Sequence, residues 1–86
     1  MSRQEKLLKR FLNQPKNFTF DETVSLLRMF GFYEVKTGKT SGSRVRFRND
    51  ILQKEFRTHR PHPQNIMKQY QLNDIKTLLI DCKLID

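Results

Sequence analysis

Residues 40–63 read T-S-G-S-R-V-R-F-R-N-D-I-L-Q-K-E-F-R-T-H-R-P-H-P and hold the densest run of arginine and both histidines of the 86-residue chain. Within it, residues 44–48 alternate arginine with valine and phenylalanine. Successive side chains of a β-strand point to opposite faces, so this strand has a cationic face and an apolar face. Residues 54–59 repeat the alternation. The two strands are predicted to form one platform for a polyanion, with helices packed on its apolar side.

The charge and the cysteine content of the chain indicate what kind of partner it binds and which kinds of site it lacks. The formal net charge is +8, and most of it lies in residues 36–60. Such a charge favours an anionic partner: a nucleic acid, an acidic protein or a membrane surface. Cys82 is the only cysteine, which excludes a disulfide framework and fits the cytoplasm. Two histidines and one distant cysteine do not make a metal-ligand set. We therefore predict no metal, no cofactor and, without a long apolar run or a signal peptide, a soluble protein with no membrane span.

Two helices are predicted before the strands. Residues 4–12 have apolar side chains at helical spacing, and Pro15 ends the segment. This basic helix either binds a membrane surface or partner, or packs on its own domain, and the second is favoured. The next helix is delimited by a capping box formed by Thr19 and Glu22, and by Gly31 as a left-handed C-cap.

The rest of the chain completes an α+β pattern. A strand over 32–36 and a glycine- and serine-rich turn over 37–43 precede the arginine-rich strands, and Asn49-Asp50 forms the turn between those strands. Residues 59–63 are predicted to leave the sheet as an extended segment, because prolines remove ladder donors. Residues 65–71 are ambiguous, and a final helix runs from Leu72 to about Lys83. We divide the chain into an N-terminal basic helix, 1–17, and a domain, 18–86.

Three motifs in this order resemble the HicA toxin family of bacterial type II toxin–antitoxin modules: F30-G31-F32, K39-T40-S41-G42-S43 and P61-H62-P63. The resemblance implies a fold similar to a double-stranded RNA-binding domain, α-β-β-β-α with a three-stranded antiparallel sheet, here with an extra N-terminal helix. It also implies cleavage of mRNA and silencing by a HicB-type antitoxin. Family members typically carry a catalytic histidine one or two positions after the Gly-Ser of the turn. Those positions are Arg44 and Val45 here.

Cleavage of RNA without a metal requires a base, an acid and cations for the phosphate. Histidine suits the first two roles and arginine the third. The candidate catalytic residues are His62 and His59. The candidate RNA-binding residues are Lys39, Ser43, Arg44, Arg46, Arg48, Arg57 and Arg60.

Plainer interpretations of these residues stay open. Each histidine is alternatively structural, and the arginine face is alternatively an ordinary solvated one. However, three like charges on one face repel one another, which favours an anionic partner. Two other functions also remain: a non-catalytic RNA-binding domain, and a basic module that binds an acidic protein.

Overall fold

The computed structural model describes residues 2–35, 44–62 and 64–85 of the chain. Their helices and strands follow the predicted order, and the α+β class is confirmed. The elements are α1 (Arg3–Leu12), α2 (Phe20–Met29), β1 (Tyr33–Val35), β2 (Arg44–Asn49), β3 (Lys54–His59) and α3 (Gln69–Asp81). The strands form an antiparallel sheet in the order β1-β2-β3.

Helix α1 packs on its own domain, which is the favoured alternative for this segment. Phe11 is fully buried, and its ring meets that of Phe18 edge to face at 5.7 Å. Arg10 Nε donates to Glu22 Oε2 over 2.8 Å, and Arg10 Nη2 donates to the Asn17 carbonyl oxygen over 3.0 Å. The apolar face of α1 is therefore used inside the molecule.

Helix α2 begins and ends where the sequence predicts. The Glu22 backbone N–H donates to Thr19 Oγ1 over 3.1 Å, and the Thr19 N–H donates to Glu22 Oε1 over 2.9 Å. At the other end Gly31 has φ +89°, and the Phe32 N–H donates back to the Leu27 carbonyl oxygen. This is a Schellman ending, in which glycine adopts the left-handed conformation at no steric cost.

The register of the sheet sorts the side chains into two faces. Arg44 pairs with His59, Arg46 with Arg57, and Arg48 with Glu55. Between these pairs, Val45 and Phe47 are buried against the helices. The core is formed mostly by one side of the sheet and by α1, α2 and α3, and its fully buried members include Leu26, Leu27, Leu72, Ile75 and Leu79. The division of β2 into an apolar and a cationic face is confirmed.

The ambiguous segment before α3 pairs with the residues before α2. Thr19 and Ile66 form an isolated antiparallel bridge. The Met67 N–H donates to the Phe18 carbonyl oxygen over 2.7 Å, and the Phe20 N–H donates to the Asn65 carbonyl oxygen over 3.0 Å. This pairing closes the domain across a long sequence separation.

Candidate nucleic-acid interface

The side of the sheet that turns away from the core is called here the outer face. Its members are Tyr33 and Val35 of β1, Arg44, Arg46 and Arg48 of β2, and Glu55, Arg57 and His59 of β3. They share this face because paired residues of an antiparallel ladder point the same way, and their neighbours Val45 and Phe47 point into the core. The predicted platform therefore exists as a geometric surface.

One carboxylate lies within 4 Å of three of the four arginines of this face. Glu55 Oε1 lies 3.1 Å from Arg57 Nε and 3.7 Å from Arg46 Nε, and Glu55 Oε2 lies 3.9 Å from Arg48 Nη1. The free protein thus relieves part of the repulsion among its arginines with a charge of its own. This role of Glu55 is not predictable from the sequence, because the register that places it opposite Arg48 depends on the length of the turn.

The arginines of the outer face differ in how far their side chains are exposed to solvent. Arg57 is 79% exposed along its side chain, and Arg44 is exposed at the start of β2. Arg46 is more enclosed, and among the described residues its buried Nε has no hydrogen-bond partner. Guanidinium groups form forked hydrogen bonds with phosphate, so the exposed Arg44 and Arg57 suit an incoming anion, whereas the Nε of Arg46 is covered in the free protein.

A second polar cluster lies at the end of the outer face, next to the β2–β3 turn. Arg48 Nε donates to Asp50 Oδ1 over 2.8 Å, and the Tyr33 hydroxyl donates to Asp50 Oδ2 over 2.9 Å. These two hydrogen bonds, that from Arg48 first, lower the pKa of Asp50 below its ordinary value. The bond to Asp50 raises the pKa of Tyr33. The carboxylate therefore stays charged and fixes both the arginine and the ring.

His59 is the last residue of β3, and His62 lies in the segment that follows the strand. His59 is exposed on the outer face opposite Arg44, whereas His62 is exposed just beyond the buried Pro61. Buried Gln71 of α3 holds the end of β3 in place, because its Nε2 donates to the His59 carbonyl oxygen over 2.8 Å and to Thr58 Oγ1 over 3.1 Å. His59 therefore stands at the fixed end of β3.

The remaining candidates lie elsewhere. Arg60 is turned away from the outer face: its Cζ lies 4.9 Å from the centre of the Phe20 ring, and its Nη2 lies 3.6 Å from Glu34 Oε2. Strand alternation carried one residue beyond His59 predicts this orientation. Lys39 and Ser43, with the rest of the predicted turn over 37–43, fall outside the described residues.

Metal-binding clusters and membrane spans are both missing from the described part of the chain. No group of His, Cys, Asp or Glu side chains within residues 2–35, 44–62 and 64–85 is arranged to hold a metal ion. None of the helices in these ranges is long and apolar enough to cross a membrane.

Comparison with protein families gives a match over most of the chain. The model of the family described as "HicA toxin of bacterial toxin-antitoxin" matches residues 20–84. The match begins at the first residue of α2 and extends past α3, and it leaves out α1. Neither the curated proteins nor the solved structures gave a match.

Proposed function

The chain belongs to the HicA toxin family of bacterial toxin–antitoxin modules, and from this membership we propose that it is an endoribonuclease that binds and cleaves mRNA without a metal. A HicB-type antitoxin, encoded as the other half of the module, would neutralise it in the cytoplasm. The observation that carries the proposal is the outer face, where arginines and a histidine project from one rigid sheet.

The arginines are suited to holding the RNA backbone. Arg44 and Arg57 are exposed, and Arg46 lies on the same face, paired with Arg57 across the ladder. Phosphate contacts of this kind give affinity with little dependence on sequence. Lys39 and Ser43, which lie outside the described residues, are proposed to bind RNA as well. Arg60 is proposed to approach RNA only at the edge of the sheet, given its contact with Phe20.

The histidines are proposed to transfer protons. One takes the proton of the attacking 2′-hydroxyl, and the other gives a proton to the departing 5′-oxygen. His59 is the member of the pair on the outer face, across the ladder from Arg44. Position 44 is one of the two places where the family typically has histidine, and the other, Val45, is buried. His59 therefore brings an imidazole to the patch that a histidine at position 44 would occupy. His62 is proposed as its partner.

Cleavage is tested with purified protein and labelled RNA in the presence of a chelator. Wild type is expected to cut the RNA, whereas His59→Ala and His62→Ala are each expected to lose cutting while they keep RNA affinity. Growth arrest on induced expression, abolished in the same variants, is the matching result in cells. Cleavage that survives both substitutions would overturn the assignment of the histidines.

Binding is tested separately through its salt dependence. Removing one phosphate-binding cation lowers the slope of log affinity against log salt by roughly 0.7 to 0.9. Arg57→Gln is expected to reduce the slope by about that amount. Arg28→Gln, which removes the same charge from α2, serves as the control and should leave the slope unchanged. Equal slopes for the two variants would argue against the outer face.

A second function is favoured by one observation, the absence of histidine at Arg44 and Val45. In that case the protein is an RNA-binding domain without catalysis. RNA affinity with a steep salt slope, together with no cleavage and no growth arrest from folded wild type, would identify it. An acidic protein as sole partner would instead show tight antitoxin binding and no RNA affinity.

A further inference from the structure

The outer face is divided into an apolar strip and a cationic strip. Tyr33 and Val35 of β1 face the same way as Arg48 and Arg46 of β2, with which they pair directly. Neighbouring strands lie roughly 4.8 Å apart. An RNA strand that follows β2 with its phosphates on the arginines therefore has an apolar surface within reach of its bases on one side.

Tyr33 is held as a fixed and open ring. The residue is 42% exposed, although large apolar side chains of this domain are mostly buried. Its hydroxyl is tied to Asp50 over 2.9 Å, and Asp50 is in turn tied to Arg48. An aromatic ring that is already fixed loses little conformational freedom when another ring stacks on it.

Stacking on an aromatic side chain requires a base that is not already stacked on both sides. In a duplex the bases are enclosed, and proteins meet mainly phosphates and 2′-hydroxyls. In a single strand the bases stack readily on aromatic side chains, with little regard to sequence. A ring placed beside a row of arginines thus selects for unpaired RNA.

We propose that Tyr33 is a base-stacking residue and that the RNA taken by the outer face is single-stranded. The ring stacks on one base while Arg46 and Arg48 hold the neighbouring phosphates. This inference rests on the proposed RNA binding and adds to it the class of substrate and the residue that selects it.

The test compares a short labelled single strand with a duplex of the same sequence, both made of 2′-O-methyl RNA so that neither is cleaved. Tyr33→Ala is expected to weaken single-strand binding about tenfold, since it removes the aromatic surface on which a base stacks. Duplex binding and the salt slope should not change. Tyr33→Phe keeps the ring, removes only the bond to Asp50, and should stay within about twofold of wild type.

A second variant keeps the proposal testable if Tyr33→Ala does not fold. The chain contains no tryptophan, so Tyr33→Trp places a single tryptophan on the outer face, and its emission can be excited separately from that of Tyr70. Single-stranded RNA is expected to quench its emission, and the duplex is not. Suppose that wild type binds RNA with a steep salt slope. If Tyr33→Ala then binds single-stranded RNA as tightly as wild type, and RNA does not quench Tyr33→Trp, the stacking role is wrong while the proposed RNA binding stands. Wild type without RNA affinity would instead overturn the proposed function.

Discussion

Replacing Glu55 by glutamine should strengthen RNA binding and weaken the free fold slightly. In the free protein the Glu55 carboxylate lies within 4 Å of Arg46, Arg48 and Arg57. A phosphate that arrives at the outer face competes with this carboxylate for the same N–H groups and is repelled by its charge. Glutamine keeps the size of the side chain and removes both effects.

The size of the gain follows from the geometry. The Arg57–Glu55 distance is 3.1 Å, and a phosphate oxygen bonded to the opposite edge of the guanidinium adds about 2.9 Å and the width of that group. The two anions are then roughly 7 Å apart, and their repulsion in water is about 0.6 kcal/mol. That energy corresponds to about a threefold change in Kd. The freed N–H groups add to it, so we expect a gain of about three- to tenfold.

Glu55→Gln should lower the free energy of unfolding only slightly. The Glu55 side chain is 29% exposed, and its partners are more exposed still. Ion pairs at a protein surface contribute roughly 0–1 kcal/mol, because water and side-chain entropy offset most of the attraction. Urea denaturation of Glu55→Gln should therefore show a decrease within that range.

Fluorescence anisotropy with a labelled 2′-O-methyl single strand, repeated at several salt concentrations, measures the effect. Asp74→Asn removes one negative charge from α3 and is the matched control. RNA affinity should increase in Glu55→Gln and not in Asp74→Asn. The increase should become smaller as the salt concentration rises, because salt screens the repulsion. An unchanged or weaker affinity would refute the reasoning, and an equal gain in Asp74→Asn would attribute the effect to net charge alone.

Three further predictions concern the fold. Thr19→Ala removes the side-chain acceptor of the Glu22 N–H and should lower the free energy of unfolding by about 1 kcal/mol in urea. Gly31→Ala should cost roughly 1–3 kcal/mol, because φ is +89° and the added Cβ would lie 3.0 Å from Asn49 Nδ2; the cost should fall in an Asn49→Ser background. The hydrogen bond from Arg10 lowers the pKa of Glu22 in the folded protein. The ionised carboxylate therefore stabilises the fold at pH values above its unfolded-state pKa of about 4.3, and this stabilisation is lost as the pH falls through the lower folded-state pKa. Thermal midpoints measured below about pH 5 should therefore fall less steeply in Arg10→Gln than in wild type.

Local signals in the sequence predicted the best-defined elements of the fold. The capping box at Thr19 and the glycine at position 31 gave the bounds of α2, because both act within a few residues of the chain. The alternation of residues 44–48 predicted which side chains of β2 enter the core, because the strand period is fixed by backbone geometry. These features require no knowledge of what else lies nearby.

Features that depend on pairing between distant segments were not predictable in this way. The bridge between Thr19 and Ile66 joins two distant segments, and no local pattern in either of them indicates the pairing. Glu55 becomes a shared partner only through the β2–β3 register, and Tyr33 joins the arginines only through the β1–β2 register. The candidate site was therefore predicted as a set of cations, and its carboxylate and its aromatic ring came from the structure.

The docking of α1 has a consequence for any attempt to shorten the chain. The family match begins at Phe20, which invites trimming to the matched segment. Phe11 and Phe18 are both fully buried and lie against each other, so trimming at that point removes two rings from one shared core and uncovers the apolar surface beneath them. Such a fragment is expected to aggregate on expression, because newly exposed apolar patches associate in water. Solubility, and not only toxicity, would then set the shortest form of the protein that can be studied.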